Sequence, residues 1–292
     1  MRVAVLGASG GMGSFFARYF LEKGDAVSGS DPRREGRAVR SANGRRLSMH
    51  ETNAGAAKGS DVTVIAVPMG ATLIVAKELA GKLKHGSTLV EISSVKGETP
   101  AALRKLVGEK VTLLSIHPLF GPALQSTRGM KIAVIVEGKG RAGHPEVALA
   151  KRLFPDARII PMSRKDHDRT MAVVLSLTHL LNVVYAGTVS RFLTPVEFMR
   201  VSTPNSSMQL TLAEAILAQD PELSFAIQAD NAYSRKVGRA ASRELKRVLA
   251  MVEGTDRKAF NEHFSRLSKR YNTDERAGAV IREIYSAAEK GS

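Results

Sequence analysis

The chain has 292 residues, enough for two domains that each bury a hydrophobic core. It has no cysteine, which excludes a disulfide framework, and no N-terminal signal segment, so we expect a cytoplasmic protein. The formal net charge of +15 raises nucleic-acid binding as an alternative, but the basic residues are spread along the chain without aromatic interleaving. We therefore expect a solvated basic surface and no nucleic-acid partner.

The N-terminal segment has the pattern of a dinucleotide-binding strand and helix. A β-rich run, Arg2–Leu6, leads into the sequence GASGGMG, and aromatic residues then recur at helical spacing. Glycine permits a tight turn, lets the backbone approach a pyrophosphate and lets the helix pack closely on the strand, while the N–H groups of the helix start bind the anion. The predicted cofactor-binding residues of this turn are Gly7, Ser9, Gly10, Gly11, Met12 and Gly13.

The second predicted strand is followed by an acid and then by arginines. Asp31 lies eighteen residues beyond Gly13, the position of an acid that hydrogen-bonds the adenosine ribose and favours NAD. Arg33 and Arg34 favour a 2′-phosphate at the same corner. The sequence predicts NAD as the cofactor, with Asp31 and Arg33 both in contact with it, and NADP as the alternative.

Two further apolar runs, residues 61–67 and 88–92, are predicted to be buried parallel strands. Pro68 ends the first, and the second leads into Ser94, which offers a hydroxyl, and Lys96, which offers a cation. The carboxyl ends of strands in an open α/β sheet form the edge that binds ligands. We therefore predict that Pro68 borders the cofactor and that Ser94 and Lys96 serve the substrate, although singly such residues are more often a helix cap and a surface charge.

A third apolar run, residues 111–116, is followed by His117 and Pro118. Proline cannot donate to a sheet ladder, so the strand is predicted to end at the histidine. A base that titrates near neutrality then lies at the ligand-binding edge, where it suits removal of a hydroxyl proton while a nicotinamide takes hydride from the carbon. No group of side chains has metal-ligand spacing, so we predict no metal.

Four segments together resemble the prephenate dehydrogenase family. Residues 117–122 (HPLFGP) are similar to its His-Pro-hydrophobic-Phe-Gly-Pro signature, and residues 91–96 (EISSVK) to its acid-x-x-Ser-Val-Lys segment. Residues 166–179 resemble its His-Asp…Ala…His stretch, and residues 221–228 its Asp-Pro-x-Leu-Tyr-x-x-Ile segment. The resemblance implies NAD(P)-dependent oxidative decarboxylation of prephenate to 4-hydroxyphenylpyruvate, a reaction of tyrosine biosynthesis.

The resemblance also implies roles for individual residues. His117 is the catalytic histidine on the ring hydroxyl, Ser94 holds that hydroxyl and the nicotinamide, and Lys96 and His179 border the substrate pocket. Arg235 is assigned to anchor a substrate carboxylate.

Some positions leave alternatives open. Arg239 is the rival to Arg235 as the anchoring arginine, Glu91 replaces the family's commoner aspartate, and Ser176 stands where many members have another histidine. The alternative within this enzyme class is arogenate dehydrogenase, whose substrate carries an amino group on the side chain. A function of another class is a non-catalytic regulator that senses a dinucleotide or binds nucleic acid, but a sensor needs no base.

The predicted fold is α/β, with an N-terminal Rossmann-type doubly wound parallel sheet over residues 1–162 and an all-helical domain over residues 163–292. We expect the helical domain to bind substrate and to dimerise, with the active site in the cleft between the domains. Helices are predicted near residues 165–191, 206–219, 221–253, 256–271 and 273–289, and residues 193–205 are predicted to be a connection.

Apolar residues cover most of the circumference of the predicted helix between residues 172 and 189. Polar residues interrupt the run at Ser176, Thr178, His179 and Asn182, so no membrane span is expected. A helix that is apolar all round must be enclosed, and about 130 residues of helices offer limited material to enclose it in one subunit. The sequence therefore predicts a homodimer built through this domain.

Overall fold

The computed structural model describes residues 1–33, 44–124, 126–137, 143–271 and 276–291; Arg34 lies outside these residues. The chain forms two compact units, the first comprising Met1–Met171 with Asp230–Ala232, and the second Ala172–Ala229 with Tyr233–Ser292. The strands are β1 (Arg2–Leu6), β2 (Ala26–Ser30), β3 (Ser48–His50), β4 (Val62–Ile65), β5 (Thr88–Glu91), β6 (Thr112–Pro118), β7 (Lys131–Ile135) and β8 (Arg158–Met162).

The strands of the first unit form one sheet in the order β3-β2-β1-β4-β5-β6-β7-β8. Strands β1 to β6 run parallel, which confirms the Rossmann-type fold and brings the carboxyl ends of β1, β4, β5 and β6 to one edge. Strand β7 pairs antiparallel to β6, and β8 runs parallel to β7. The short, exposed strand β3 lacks an apolar run, and the sequence analysis missed it.

The helices of the first unit are α1 (Gly11–Glu22), α2 (Asn53–Ala57), α3 (Thr72–Leu79), α4 (Thr99–Val107), α5 (Pro145–Leu153) and α6 (Arg164–Met171). Helix α1 shows why they pack on the sheet. Its aromatic residues Phe15, Phe16 and Phe20 are almost completely buried, and they pack with β-strand valines in a single core. The core fixes the start of α1, and therefore the glycine turn, against the end of β1.

The sequence predicts that strand β6 ends at His117, and this prediction is wrong. The strand continues through Pro118, and His117 pairs with Ala133 of the antiparallel neighbour β7. Proline is tolerated here because it closes the strand: the next ladder bond is donated by the backbone N–H of Leu119 to the carbonyl oxygen of Lys131 at 2.9 Å. His117 therefore lies in regular strand geometry rather than in a loop.

The second unit is helical in the part that the structure describes. A π-helical segment (Ala172–Leu177) continues α6 directly into α7 (Thr178–Val189). The remaining helices are α8 (Pro195–Val201), α9 (Pro204–Leu217), α10 (Pro221–Ala229), α11 (Ser234–Glu253), α12 (Arg257–Tyr271) and α13 (Arg276–Gly291).

Two expectations for these helices were wrong. The predicted connection contains helix α8, which begins with Pro195 at its first turn and is capped by Thr194 and Glu197 in a reciprocal capping box. The single helix expected over residues 221–253 is two helices, because the chain leaves helical geometry between α10 and α11.

The long helix from α6 to α7 leaves much of its apolar surface uncovered in one chain. The exposed fractions are 52% for Val173, 58% for Val174, 50% for Leu181 and 48% for Val184. By length and composition the helix Arg164–Val189 could cross a membrane, a test that core helices of soluble proteins also pass. Its first turns carry the hydrogen-bonded pair His167 and Asp168, which are buried.

Candidate active site

The glycine turn after β1 is shaped so that side chains are excluded from it. Gly7 has φ +81°, and a Cβ there would overlap the carbonyl oxygen of Ala66. A Cβ on Gly13 would overlap the carbonyl oxygen of Gly7, so this glycine permits the close packing of helix on strand. A Cβ on Gly11 would lie 2.9 Å from the ring of Pro122 in the HPLFGP segment.

The start of α1 is open to an anion. Helix α1 begins at Gly11, its N-cap Gly10 offers no side-chain cap, and its first turn holds no acidic residue. The backbone N–H of Ser14 bonds the carbonyl oxygen of Gly10, and the N–H of Gly10 bonds that of Gly7. The N–H groups ahead of Ser14 thus have the orientation with which helix N-termini bind phosphate. This turn fits the pyrophosphate of a dinucleotide.

Asp31 lies beside this turn and is tied to it. One carboxylate oxygen accepts the backbone N–H of Ser9 at 3.0 Å, and the other accepts the N–H of Arg33 at 2.9 Å. The side chain of Asp31 is only 2% exposed, whereas that of Arg33 is 71% exposed. Arg33 lies over the turn, since its guanidinium is 3.6 Å from where a Cβ of Gly10 would stand. Asp31 thus orders the turn, and Arg33 offers a cation beside it.

Lys96 has a different environment from the one expected of a substrate ligand. It is completely buried, and its ammonium donates to a carboxylate oxygen of Glu91 at 2.6 Å and to the carbonyl oxygen of Ile116 at 2.6 Å. Glu91 is also completely buried and accepts hydrogen bonds from Ser93 and Ser115. In this structure the ammonium is enclosed and bonded at the sheet edge, so the described geometry does not support the expected contact between Lys96 and substrate.

The buried pair fixes the strand that carries the histidine. Glu91 and Ser115 are register partners on β5 and β6, and Lys96 holds the carbonyl immediately before His117. Burial lowers the pKa of Lys96, an effect that the charge of Glu91 opposes. Ser94 lies half-buried on the segment between Glu91 and Lys96. The strand that precedes it, β5, is the neighbour of β6, which carries His117.

His117 is the end of a hydrogen-bonded row of three side chains. Its Nδ1 lies 3.0 Å from Nε2 of His167, whose Nδ1 lies 2.8 Å from a carboxylate oxygen of Asp168. The carboxylate of Asp168 also accepts the backbone N–H groups of Lys96 at 3.0 Å and Gly97 at 2.8 Å. In the described part of the chain, no residue hydrogen-bonds the other ring nitrogen of His117, Nε2.

The surroundings keep both imidazoles neutral. Burial, together with unfavourable electrostatic interactions of a protonated ring with His167 and Lys96, holds the pKa of His117 well below its ordinary value. Burial also lowers the pKa of His167, although its hydrogen bond to Asp168 opposes this. The pKa of Asp168 is lowered in spite of its burial, because His167 and two backbone N–H groups donate to the carboxylate. A neutral imidazole beside an ionised carboxylate can act as a general base.

Two predicted substrate residues belong to the second unit. His179 on α7 is buried, its Nδ1 lies 3.3 Å from the hydroxyl of Ser224, and burial lowers its pKa. Arg235 is exposed in the first turn of α11. Ser176 is buried in the π-helical segment, where its hydroxyl donates to the carbonyl oxygen of Ile227 at 3.0 Å.

Pro68, the remaining predicted cofactor residue, is exposed just beyond the end of β4, and it begins a short 3₁₀ turn, Met69–Ala71. Its backbone lies next to the strand end that packs against Gly7. No group of residues that could hold a metal ion is found within the described ranges.

Comparison with known proteins decides the family. The sequence profile of the prephenate dehydrogenase nucleotide-binding domain matches residues 16–135, and that of the prephenate dehydrogenase dimerization domain matches residues 163–266. The chain belongs to the prephenate dehydrogenase family. The two profiles describe a nucleotide-binding domain followed by a dimerization domain in this family of dehydrogenases.

The related sequences carry several substrate names. A probable arogenate/prephenate dehydrogenase of Methanocaldococcus jannaschii is 26% identical over 96% of this chain, which spans 63% of that relative's length. A 4-amino-4-deoxyprephenate dehydrogenase of Streptomyces pristinaespiralis is 28% identical over 91% of this chain and 90% of its own. The family therefore does not by itself fix the substrate.

Solved structures agree on the fold. A prephenate dehydrogenase from A. aeolicus, crystallised with hydroxyphenyl propionate and NAD+, has a TM-score of 0.72 at 19% identity, covering 94% of this chain and 98% of its own. An arogenate dehydrogenase from Synechocystis has a TM-score of 0.66 at 13% identity, covering 94% of this chain and 99% of its own.

Sequence reasoning missed His167 and Asp168 as members of the site. The two residues were noticed only as part of a segment that resembles the family, and no spacing rule connects them with a histidine fifty residues earlier in the chain. The adjacent His-Asp pair was the available signal, since a carboxylate next to a histidine often orients it.

Proposed function

We propose that this protein is an NAD-dependent prephenate dehydrogenase that converts prephenate to 4-hydroxyphenylpyruvate and CO2. The observation that carries the proposal is the buried imidazole of His117, hydrogen-bonded to His167 at the edge of a sheet that carries a dinucleotide-binding turn. Oxidation of the ring carbinol needs a base for the hydroxyl proton, and loss of CO2 then makes the ring aromatic, so no metal and no covalent nucleophile is required.

The residues divide the work as follows. His117 Nε2 accepts the proton of the 4-hydroxyl, and Ser94 at the neighbouring strand end orients that hydroxyl. His179 and Arg235 are assigned to the substrate on the family resemblance alone. Lys96 stays beneath the site and holds the strand of His117 in place. The net charge of +15 favours the approach of a substrate with two carboxylates.

NAD is the proposed cofactor, and when bound it supplies the hydride acceptor. Gly7, Gly10 and Gly13 would let the backbone approach its pyrophosphate, with Ser9, Gly11 and Met12 at the same turn and Pro68 nearby. Asp31 favours an unphosphorylated ribose, and Arg33 is the residue that would accept NADP. The related Aquifex structure was obtained with NAD+.

One assay tests the proposed function. The purified protein is given NAD or NADP with prephenate, arogenate or 4-amino-4-deoxyprephenate, and the absorbance of the reduced nicotinamide is followed. We expect prephenate with NAD to give the highest kcat/KM. If arogenate or 4-amino-4-deoxyprephenate gave a higher kcat/KM, that compound would replace prephenate as the proposed substrate. Both compounds occur in the names of related proteins. Turnover of none would favour the non-catalytic regulator.

We also propose that the protein is a homodimer joined through the helical second unit. The support is the exposed apolar surface of α7 and the π-helical segment, together with the match of residues 163–266 to a dimerization domain. Valine and leucine side chains that are half exposed in one chain are stabilised when a second copy covers them. We keep the expectation of a cytoplasmic protein with no nucleic-acid partner, no membrane span and no metal as part of this proposal.

A further inference from the structure

We propose that Asp168 and His167 are positioning residues that hold His117 with its proton on Nδ1 and its lone pair on Nε2. The proposal rests on the proposed function, in which Nε2 accepts the substrate proton. It concerns the state of the imidazole before any substrate binds, and it can therefore be tested without turnover.

The row of hydrogen bonds begins at the carboxylate of Asp168. Asp168 receives two backbone N–H groups, from Lys96 and Gly97, and these groups can only donate. A carboxylate with such donors stays ionised and is an acceptor alone. Nδ1 of His167, 2.8 Å away, must therefore carry the proton of that hydrogen bond.

The proton on Nδ1 determines the next contact. In a neutral imidazole one nitrogen donates and the other accepts, so Nε2 of His167 presents a lone pair. The partner at 3.0 Å is Nδ1 of His117, which must then donate. The second nitrogen of His117 is left unprotonated, and this is the form that a general base requires.

The charges around the row favour this arrangement. Lys96 acts electrostatically on both imidazoles and has its own charge balanced by Glu91, while Arg164 in the first turn of α6 interacts electrostatically with Asp168. When His117 accepts a proton, the positive charge that arises is shared with His167, which touches the carboxylate of Asp168. A fixed anion at this point stabilises the charge without rearrangement of solvent.

Asp168 also has a structural role, because it ties the Lys96–Gly97 turn to α6. Variants of His167 separate positioning from structure, since they leave the two backbone bonds of Asp168 intact. His167→Gln offers a side-chain oxygen that can still accept the proton of His117. His167→Leu offers no acceptor, so His117 is free to carry its proton on Nε2, where it cannot act as a base.

The decisive experiment is nuclear magnetic resonance of the whole protein labelled with 15N-histidine, without substrate, near pH 7.5. Two-bond 1H–15N correlations distinguish the Nδ1–H form, the Nε2–H form and the imidazolium, and His117→Asn identifies the signals of His117. We expect the Nδ1–H form for His117 in the wild type and in His167→Gln, and the Nε2–H form in His167→Leu. An Nε2–H form in the wild type would overturn the proposal.

Kinetics give a second readout. We expect kcat to fall by roughly 10²-fold in His167→Leu and by tenfold or less in His167→Gln, with unchanged affinity for NAD. Asp166→Asn, two residues away on the same helix, is the matched control and should keep the wild-type tautomer and rate. Equal losses in the two His167 variants would overturn the proposal. An inactive wild type with the expected tautomer would refute the proposed function alone.

Discussion

The two compact units treat their apolar residues in opposite ways. In the described part of the first unit, only Met1, Met49 and Ile74 are large apolar side chains with high exposure, and its sheet and helices enclose two buried apolar clusters. The described part of the second unit has twenty-one such exposed side chains, and only Ala172, Leu210, Ala213 and Ile227 are buried apolar residues. The first unit therefore buries its large apolar side chains within itself. The second unit leaves an apolar surface exposed, which is typical of a surface that another molecule covers.

The largest effect is expected where the first unit buries charge. Lys96→Met should lower the free energy of unfolding by about 3–5 kcal/mol, because Glu91 is left buried and unpaired. Denaturant unfolding followed by circular dichroism measures this. Lys105→Met on the exposed side of α4 is the matched control, and the double variant Glu91→Gln/Lys96→Met should recover part of the loss. If Lys96→Met were as stable as the wild type, the ion pair between Glu91 and Lys96 would not contribute to the stability of the fold.

The corresponding test of the second unit addresses its exposed face. Light scattering at low micromolar concentration should give about twice the 31.4 kDa of one chain. Leu181→Glu should shift the mass towards one chain, since a charge in the centre of an interface costs about 2 kcal/mol or more. Ile74→Glu, on the exposed surface of α3, should leave the mass unchanged. A wild-type mass near that of one chain would rule out the shared core.

A smaller effect is expected at the cofactor corner. Arg33→Ala should reduce kcat/KM with NADP by about 10–100-fold and leave NAD nearly unaffected, because a charged hydrogen bond to the 2′-phosphate is worth about 1.5–3 kcal/mol. Asp31→Ser should shift the preference towards NADP, and Asp31→Asn controls for loosening of the turn that Asp31 orders. If the wild type already prefers NADP, the assignment of Asp31 as the determinant of NAD is incorrect.

The smallest effect follows from the neutral histidines. Because folding lowers the pKa of His117, the unfolded chain binds more protons below about pH 6.5, and stability is lost as the pH falls. One such histidine contributes a slope of up to about 1.4 kcal/mol per pH unit. Unfolding between pH 6.5 and 5.5 should therefore be less pH-dependent in His117→Asn than in the wild type. Exposed His85→Asn should retain the wild-type slope, and equal slopes in all three proteins would contradict the lowered pKa.

The features that could be predicted from the sequence are those that short stretches of consecutive residues determine. The glycine turn, the apolar strands and the signature around His117 each lie within a few consecutive residues, and the parallel sheet then brings their ends together. Helix α8 also has a local signal, because Thr194 and Glu197 have capping-box spacing around Pro195, but a proline is typical of a connection as well as of a helix start.

The features it did not find depend on long-range pairing. Lys96 was expected at the surface of the site, and only the pairing of β5 with β6 encloses its ammonium between Glu91 and Ile116. The backbone of Lys96 meets Asp168 across seventy-two residues of sequence. No periodicity in the sequence encodes such a contact, since it arises from the packing of α6 on the sheet.

The proposed role of His117 as the base of a dehydrogenase is tested most directly by comparing the wild type with His117→Asn. Steady-state turnover of prephenate with NAD is measured for the wild type and for His117→Asn, with NAD affinity determined by fluorescence titration. We expect kcat to fall by roughly 10²–10⁴-fold while the affinity for NAD is nearly unchanged. Wild-type turnover in the variant would remove His117 from the mechanism.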